Sequence, residues 1–131
     1  MIHLAAIAAA SLNLVCSGIT TKTDINGSRS EPYSVTYRID LTHGKWCVGS
    51  DDECRVQEPF ADLNDAMFQF IKTEKETVSG RFFGVDQVNR ETGRHQSVII
   101  SGRDAGLRTT KQEGQCEAFP FSGFPKIRPK F

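Results

Sequence analysis

The residues of this chain best equipped for chemistry are four cysteines, Cys16, Cys47, Cys54 and Cys116, and two internal histidines, His43 and His95. An even number of cysteines behind a short, small-residue apolar start reads as a disulfide framework formed where thiols oxidise. Four cysteines allow three pairings. An excursion from Trp46 to Arg55 can bring Cys47 and Cys54 together around the acidic loop Val48 to Glu53. That leaves Cys16 with Cys116, a bond tying a first strand to a last one. With every thiol paired, no cysteine nucleophile remains.

A serine or threonine nucleophile needs a base within reach. His43 and His95 each border a turn signal, so both read as solvent-exposed turn residues, and no nucleophile-elbow sequence accompanies them. No catalytic residue is assigned. Cys47-x6-Cys54 lacks zinc-ligand spacing, and Asp51-Asp52-Glu53 reads as a solvated loop tip rather than a calcium site. Asp24-x-Asn26-Gly27 shares a few letters with a calcium loop but lacks its closing glutamate. No pair of acids stands out for glycosidase work, and glycine-rich phosphate loops are absent. The expectation is therefore no metal and no cofactor. Trp46, the sole tryptophan, adjoins Cys47 and reads as a core aromatic unless its ring lines a pocket.

Elements must then hold these residues. Tyr33-Ser-Val35-Thr-Tyr37-Arg-Ile39-Asp-Leu41 alternates apolar and polar without error, which predicts a half-buried antiparallel strand. Thr42-His43-Gly44 turns it into Lys45 to Val48. Leu12 to Gly18 predicts a strand near the start, and Thr20 to Glu31 a long exposed loop or weak hairpin around Asn26-Gly27. Further strands are expected from Arg81, over His95 to Ile100, and over Leu107 to Gln115, separated by Asn89–Gly93 and Gly102–Gly106. Residues 62–75 suit either a short helix, with Leu63, Ala66, Met67, Phe70 and Ile71 on one face, or a strand; the strand is favoured by its neighbours. The fold expected is mainly β: one antiparallel meander forming a small barrel or sandwich.

The ends differ in material. Met1 to Ala10 is apolar, with Ala8-x-Ala10 before Ser11, and is expected to be a signal peptide; its shortness and lack of Lys or Arg would fit a start assigned too far downstream. Residues 11–118 form the β domain. Residues 119–131 are a Pro/Phe-rich tail expected to lie over one end of the core, or else to dock a partner. No stretch approaches the roughly 20 apolar residues of a membrane-spanning helix. Sixteen basic and sixteen acidic side chains give a formal net charge of zero, which argues against nucleic acid, since phosphate neutralisation wants a basic excess.

The combination of Leu12-Asn-Leu14-Val-Cys16-x-Gly18, Tyr33-Ser-Val35-Thr-Tyr37-Arg-Ile39, Trp46-Cys47, Arg90-Glu-Thr-Gly93 and Pro120-Phe-Ser-Gly-Phe-Pro125 resembles small exported bacterial proteins of uncharacterised function. The resemblance implies a mostly β domain and the bacterial envelope; it carries no activity or site residue across. The functional expectation is an exported, periplasmic or secreted, non-enzymatic module. It would bind a protein partner or a small apolar ligand. The alternatives are a small hydrolase assembled from scattered Ser, His and acid residues, or a structural accessory subunit.

Overall fold

The computed structural model describes residues 11–126. The expected leader over 1–10 and the last five residues of the tail lie outside them. Nine strands run in chain order: β1 (Leu12–Asp24), β2 (Gly27–Asp40), β3 (Lys45–Val48), β4 (Glu58–Pro59), β5 (Asp62–Leu63), β6 (Met67–Thr77), β7 (Gly80–Asn89), β8 (Arg94–Gly102) and β9 (Arg108–Pro120). They form one antiparallel sheet of order β4-β3-β2-β1-β9-β8-β7-β6-β5, curled into a half-barrel. Single 3-10 turns at Glu53–Arg55 and Asp104–Gly106 are the helical pieces among the described residues.

Curvature is visible in the aromatic contacts. Five strand steps separate β2 from β6 in the sheet. At roughly 4.8 Å per step a flat sheet would hold them about 24 Å apart. Yet Tyr37 of β2 stacks on Phe70 of β6 with ring centroids 4.1 Å apart. The sheet folds its two wings together because one face is apolar. Leu12, Leu14, Cys16, Tyr37, Ile39, Trp46, Phe68, Phe70 and Val88 make the buried cluster. The segment between β4 and β5 helps close this end: Trp46 donates its Nε1–H to the Pro59 carbonyl at 3.1 Å, and Ala61 N–H donates to the Gln69 carbonyl at 2.9 Å. Phe60 lies between those bonds and packs on Phe68 and Phe70.

Several strands differ from the expectation. The polar stretch from Thr20 to Glu31 is an ordered hairpin, closed at Asp24↔Gly27. Facing hydroxyls support it, Thr21 with Ser30 at 2.9 Å and Thr23 with Ser28 at 2.8 Å. Pro32 lies within β2 instead of opening it. It is tolerated because β3 pairs only with Tyr37–Asp40, so the outer edge of β2 is free at Pro32. Residues 62–75 form no helix. They supply β5 and most of β6, and a register shift between Gln69 and Ile71 gives Phe70 an extra position. Alternation puts Phe68 and Phe70 on the same buried face, and the bulge then turns the next residue, Ile71, against the core as well.

Both disulfides have the expected pairing. Cys16 and Cys116 stand directly opposite each other on β1 and β9. Cys47–Cys54 pins the loop after β3, with Cys54 fully buried. The tail departs from its expected course. Phe119 and Pro120 extend β9, and Phe119 is 47% exposed. Phe121 and Phe124 pack edge to face on each other rather than in the core cluster. The following segment is held at Ser122 by Asn13 and at Gly123 by Arg38.

Candidate functional site: a buried acid–histidine–tyrosine cluster

His95 is not the exposed turn residue that the sequence suggests. It is 0% exposed and is the second residue of β8, where the pleat aims it at the same interior face as Val88 and Ser97. Its turn neighbours set only where the strand begins; the phase of the strand sets where the ring points. His43 does sit in an exposed turn, with Nδ1 2.8 Å from Asp40 Oδ2.

Around His95 the half-barrel gathers three partners from two strands. Asp86 of β7 places Oδ1 2.8 Å from His95 Nε2. Tyr37 of β2 donates its hydroxyl to Asp86 Oδ2 at 2.7 Å, and its oxygen lies 3.0 Å from Nε2. Tyr33, four residues away on the same face of β2, puts its hydroxyl 2.6 Å from Nδ1. An ionised carboxylate only accepts, so in the neutral ring Nε2 carries the proton toward Asp86. Nδ1 then accepts from Tyr33. Both ring nitrogens and both carboxylate oxygens are engaged.

Two glycines make the Tyr33 contact feasible. In register, Val88, His95, Gly114, Gly18 and Tyr33 form one row across five strands. A β-carbon at Gly114 would lie 2.5 Å from the Tyr33 hydroxyl and 2.2 Å from the Ser17 carbonyl oxygen. One at Gly18 would lie 2.0 Å from the Glu113 carbonyl oxygen. The phenol therefore crosses β1 and β9 over bare backbone.

Burial drives the electrostatics. Desolvation, then the Asp86 charge, then Glu113 push the Tyr33 phenol up to about 12. Tyr37 moves further in the same direction, through desolvation first and then the charge and hydrogen bond of Asp86. Both phenols stay protonated and donate. The order carboxylate, imidazole, hydroxyl is that of an activated nucleophile, but here a high-pKa phenol stands at its end. Ser97, opposite Asp86 in register, makes no hydrogen bond to His95. The cluster works as a clasp, joining β2 to β7 and β8 across the interior.

Accessible grooves lie elsewhere. One of about 560 Å³ surrounds the tip of the β1–β2 hairpin and the start of β9, lined by Lys22, Asp24, Arg29, Arg108 and Thr110 among others. A second of about 470 Å³ opens beside Trp46, Phe60, Phe70 and Ile71. Trp46 is thus both a core residue, 6% exposed, and the wall of a groove. Among the described residues no group of three or more His, Cys, Asp or Glu is placed to hold a metal ion, and no helix is long and apolar enough to cross a membrane. The cysteine pairing was legible in the sequence, whereas Asp86, Tyr33 and Tyr37 carried no local signal as a site. Comparison with known protein families, curated proteins and solved structures finds no match.

Proposed function

We propose that this chain is an exported, disulfide-stabilised binding module rather than an enzyme, taking its ligand at an accessible groove of the half-barrel. One observation carries the reading. The acid–histidine pair best arranged for catalysis is sealed, with His95 0% exposed and its ring nitrogens satisfied by protein groups. A substrate has no approach to Nδ1 without displacing Tyr33. The hydrolase alternative has the Asp86–His95–Tyr33 order in its favour, and it requires that seal to open. Two disulfides favour an oxidising compartment, and the mature chain would begin near Ser11.

The test pairs two screens on the oxidised protein. Fragments of apolar, neutral polar and anionic type are followed by amide chemical-shift changes, and ester, amide, glycoside and phosphoester substrates by turnover. The reading expects shifts clustered on one groove and turnover no higher than the blank. Turnover that disappears in His95→Gln, with circular dichroism and disulfides intact, would overturn it. Intact Met1 on cytoplasmic protein from the host would overturn the export part.

A further inference from the structure

We infer that the groove at the β1–β2 hairpin tip is a binding site for an oxyanion group, with Lys22, Arg29 and Arg108 as its cationic ligands. This rests on the binding-module reading and adds the ligand class.

Three strands share one phase at this end of the sheet. Along the interior face, β1 presents Leu12, Leu14, Cys16, Gly18, Thr20 and Lys22. From the same end β2 presents Ile39, Tyr37, Val35, Tyr33, Glu31 and Arg29. The corresponding β9 series is Cys116, Gly114, Gln112, Thr110 and Arg108. The registers contain no slip, so Lys22 stands opposite both Arg29 and Thr110. Arg108 follows two residues beyond Thr110, on the same face. One continuous surface thus passes from apolar core, through the Gln112–Thr20 hydrogen bond at 3.2 Å and the Glu31 carboxylate opposite Thr20, to three cations.

Their pairing is incomplete. Lys22 Nζ lies 3.4 Å from Glu31 Oε1, which holds the ammonium beside the groove. Asp24 spends Oδ1 on the Asn26 backbone N–H at 2.8 Å. Arg29 and Arg108 have neither an ion pair nor a hydrogen bond among the described residues, as is also true of Arg81 at another groove, while Arg38, Arg55, Arg94 and Arg103 each face a carboxylate. Two unengaged guanidinium forks beside a groove of about 560 Å³ match the bidentate geometry of phosphate, sulfate or carboxylate. Thr110 also lines the groove, and its hydroxyl is a further donor.

The experiment titrates the oxidised full chain with inorganic pyrophosphate, sodium sulfate and citrate at constant ionic strength, reading amide shifts and calorimetric heat. The three arms separate phosphate, sulfate and carboxylate as sources of the oxyanion. We expect saturable binding of at least one, with shifts at Lys22–Arg29 and Arg108–Thr110. Replacing both arginines, Arg29→Gln with Arg108→Gln, should weaken it about tenfold or more, the loss of charge-assisted bonds. Lys45→Gln, on β3 at the other end of the sheet, should leave it unchanged. The inference is overturned if no arm saturates by about 10 mM, or if the double variant binds as the parent does. It is equally overturned if Lys45→Gln weakens binding as much. A neutral fragment found in either groove would then leave the binding-module reading standing, whereas His95-dependent turnover would remove that reading as well.

Discussion

The chain contains only two tyrosines, Tyr33 and Tyr37, and both belong to the clasp, so tyrosinate absorbance reports on that cluster alone. Raising the pH is the perturbation. At pH 11 a free phenol of pKa about 10 is roughly nine-tenths ionised, while Tyr33, pushed up to about 12, is only about one-tenth ionised. Tyr37 stays protonated beside Asp86. The folded protein should therefore show little of the 295 nm tyrosinate band at pH 11, and the same protein in guanidinium nearly all of it. The sign of the stability effect follows from proton counts. Between the unfolded and folded values the native state binds more protons, so unfolding releases them and stability falls as pH rises above 10. The buried Tyr37 contributes a slope of about 1.4 kcal/mol per pH unit there, and the more exposed Tyr33 a smaller, solvent-screened share. Guanidinium unfolding curves at pH 8, 10 and 11 measure this. A native tyrosinate midpoint near 10 for both residues would refute the buried clasp. So would stability that is flat from pH 8 to 11.

The two disulfides should differ in worth. On the chain-entropy account the loop closed by Cys16–Cys116, spanning 100 positions, is worth about 4.7 kcal/mol, and that closed by Cys47–Cys54, spanning 7, about 2.4 kcal/mol. Urea midpoints of the two paired Cys→Ala variants should rank accordingly; equal losses would contradict it. Gly114→Ala should cost about 1–3 kcal/mol through overpacking against Ser17 and Tyr33. It should also lower the Tyr33 ionisation midpoint toward 10, because the displaced phenol regains water and moves away from the Asp86 charge; an unchanged midpoint would show that the glycine window is unnecessary.

Legibility followed the strength of local pattern. The error-free alternation from Tyr33 to Leu41 gave both the strand and its buried face, and Tyr37 and Ile39 are indeed core. Around His95 the same rule misleads. Val98, Ile99 and Ile100 are consecutive and apolar, yet only half-buried, while the polar His95 and Ser97 are the buried pair. Hydropathy cannot phase a strand whose inward residues are polar, and the partners that make this phase favourable lie on distant strands. Asp86 is nine residues from His95, and Tyr33 is sixty-two. The Thr20–Glu31 hairpin was indistinct for a related reason: both its faces are polar. The 62–75 segment stayed ambiguous because a bulge shifts the inward phase from Phe70 to Ile71.

The strand order has a consequence for how this chain can be cut and rejoined. On one side of the β1–β9 seam, β1 to β4 pair only with sequence neighbours; on the other, β5 to β9 do the same. The molecule is thus two meanders of contiguous sequence whose backbones pair along a single pair of strands, where the longer disulfide sits, and whose side chains meet again in the core and the clasp. Each meander can nucleate from short loops, and the slow step left is their docking, since that contact joins residues about a hundred positions apart. Leu12 and Pro120 are register partners, so a short linker would join the two ends of the sheet. New termini could then open between β4 and β5, at Phe60–Ala61. Such a circular permutant would turn the docking seam into a local connection, and its refolding under oxidising conditions should be faster than that of the natural order.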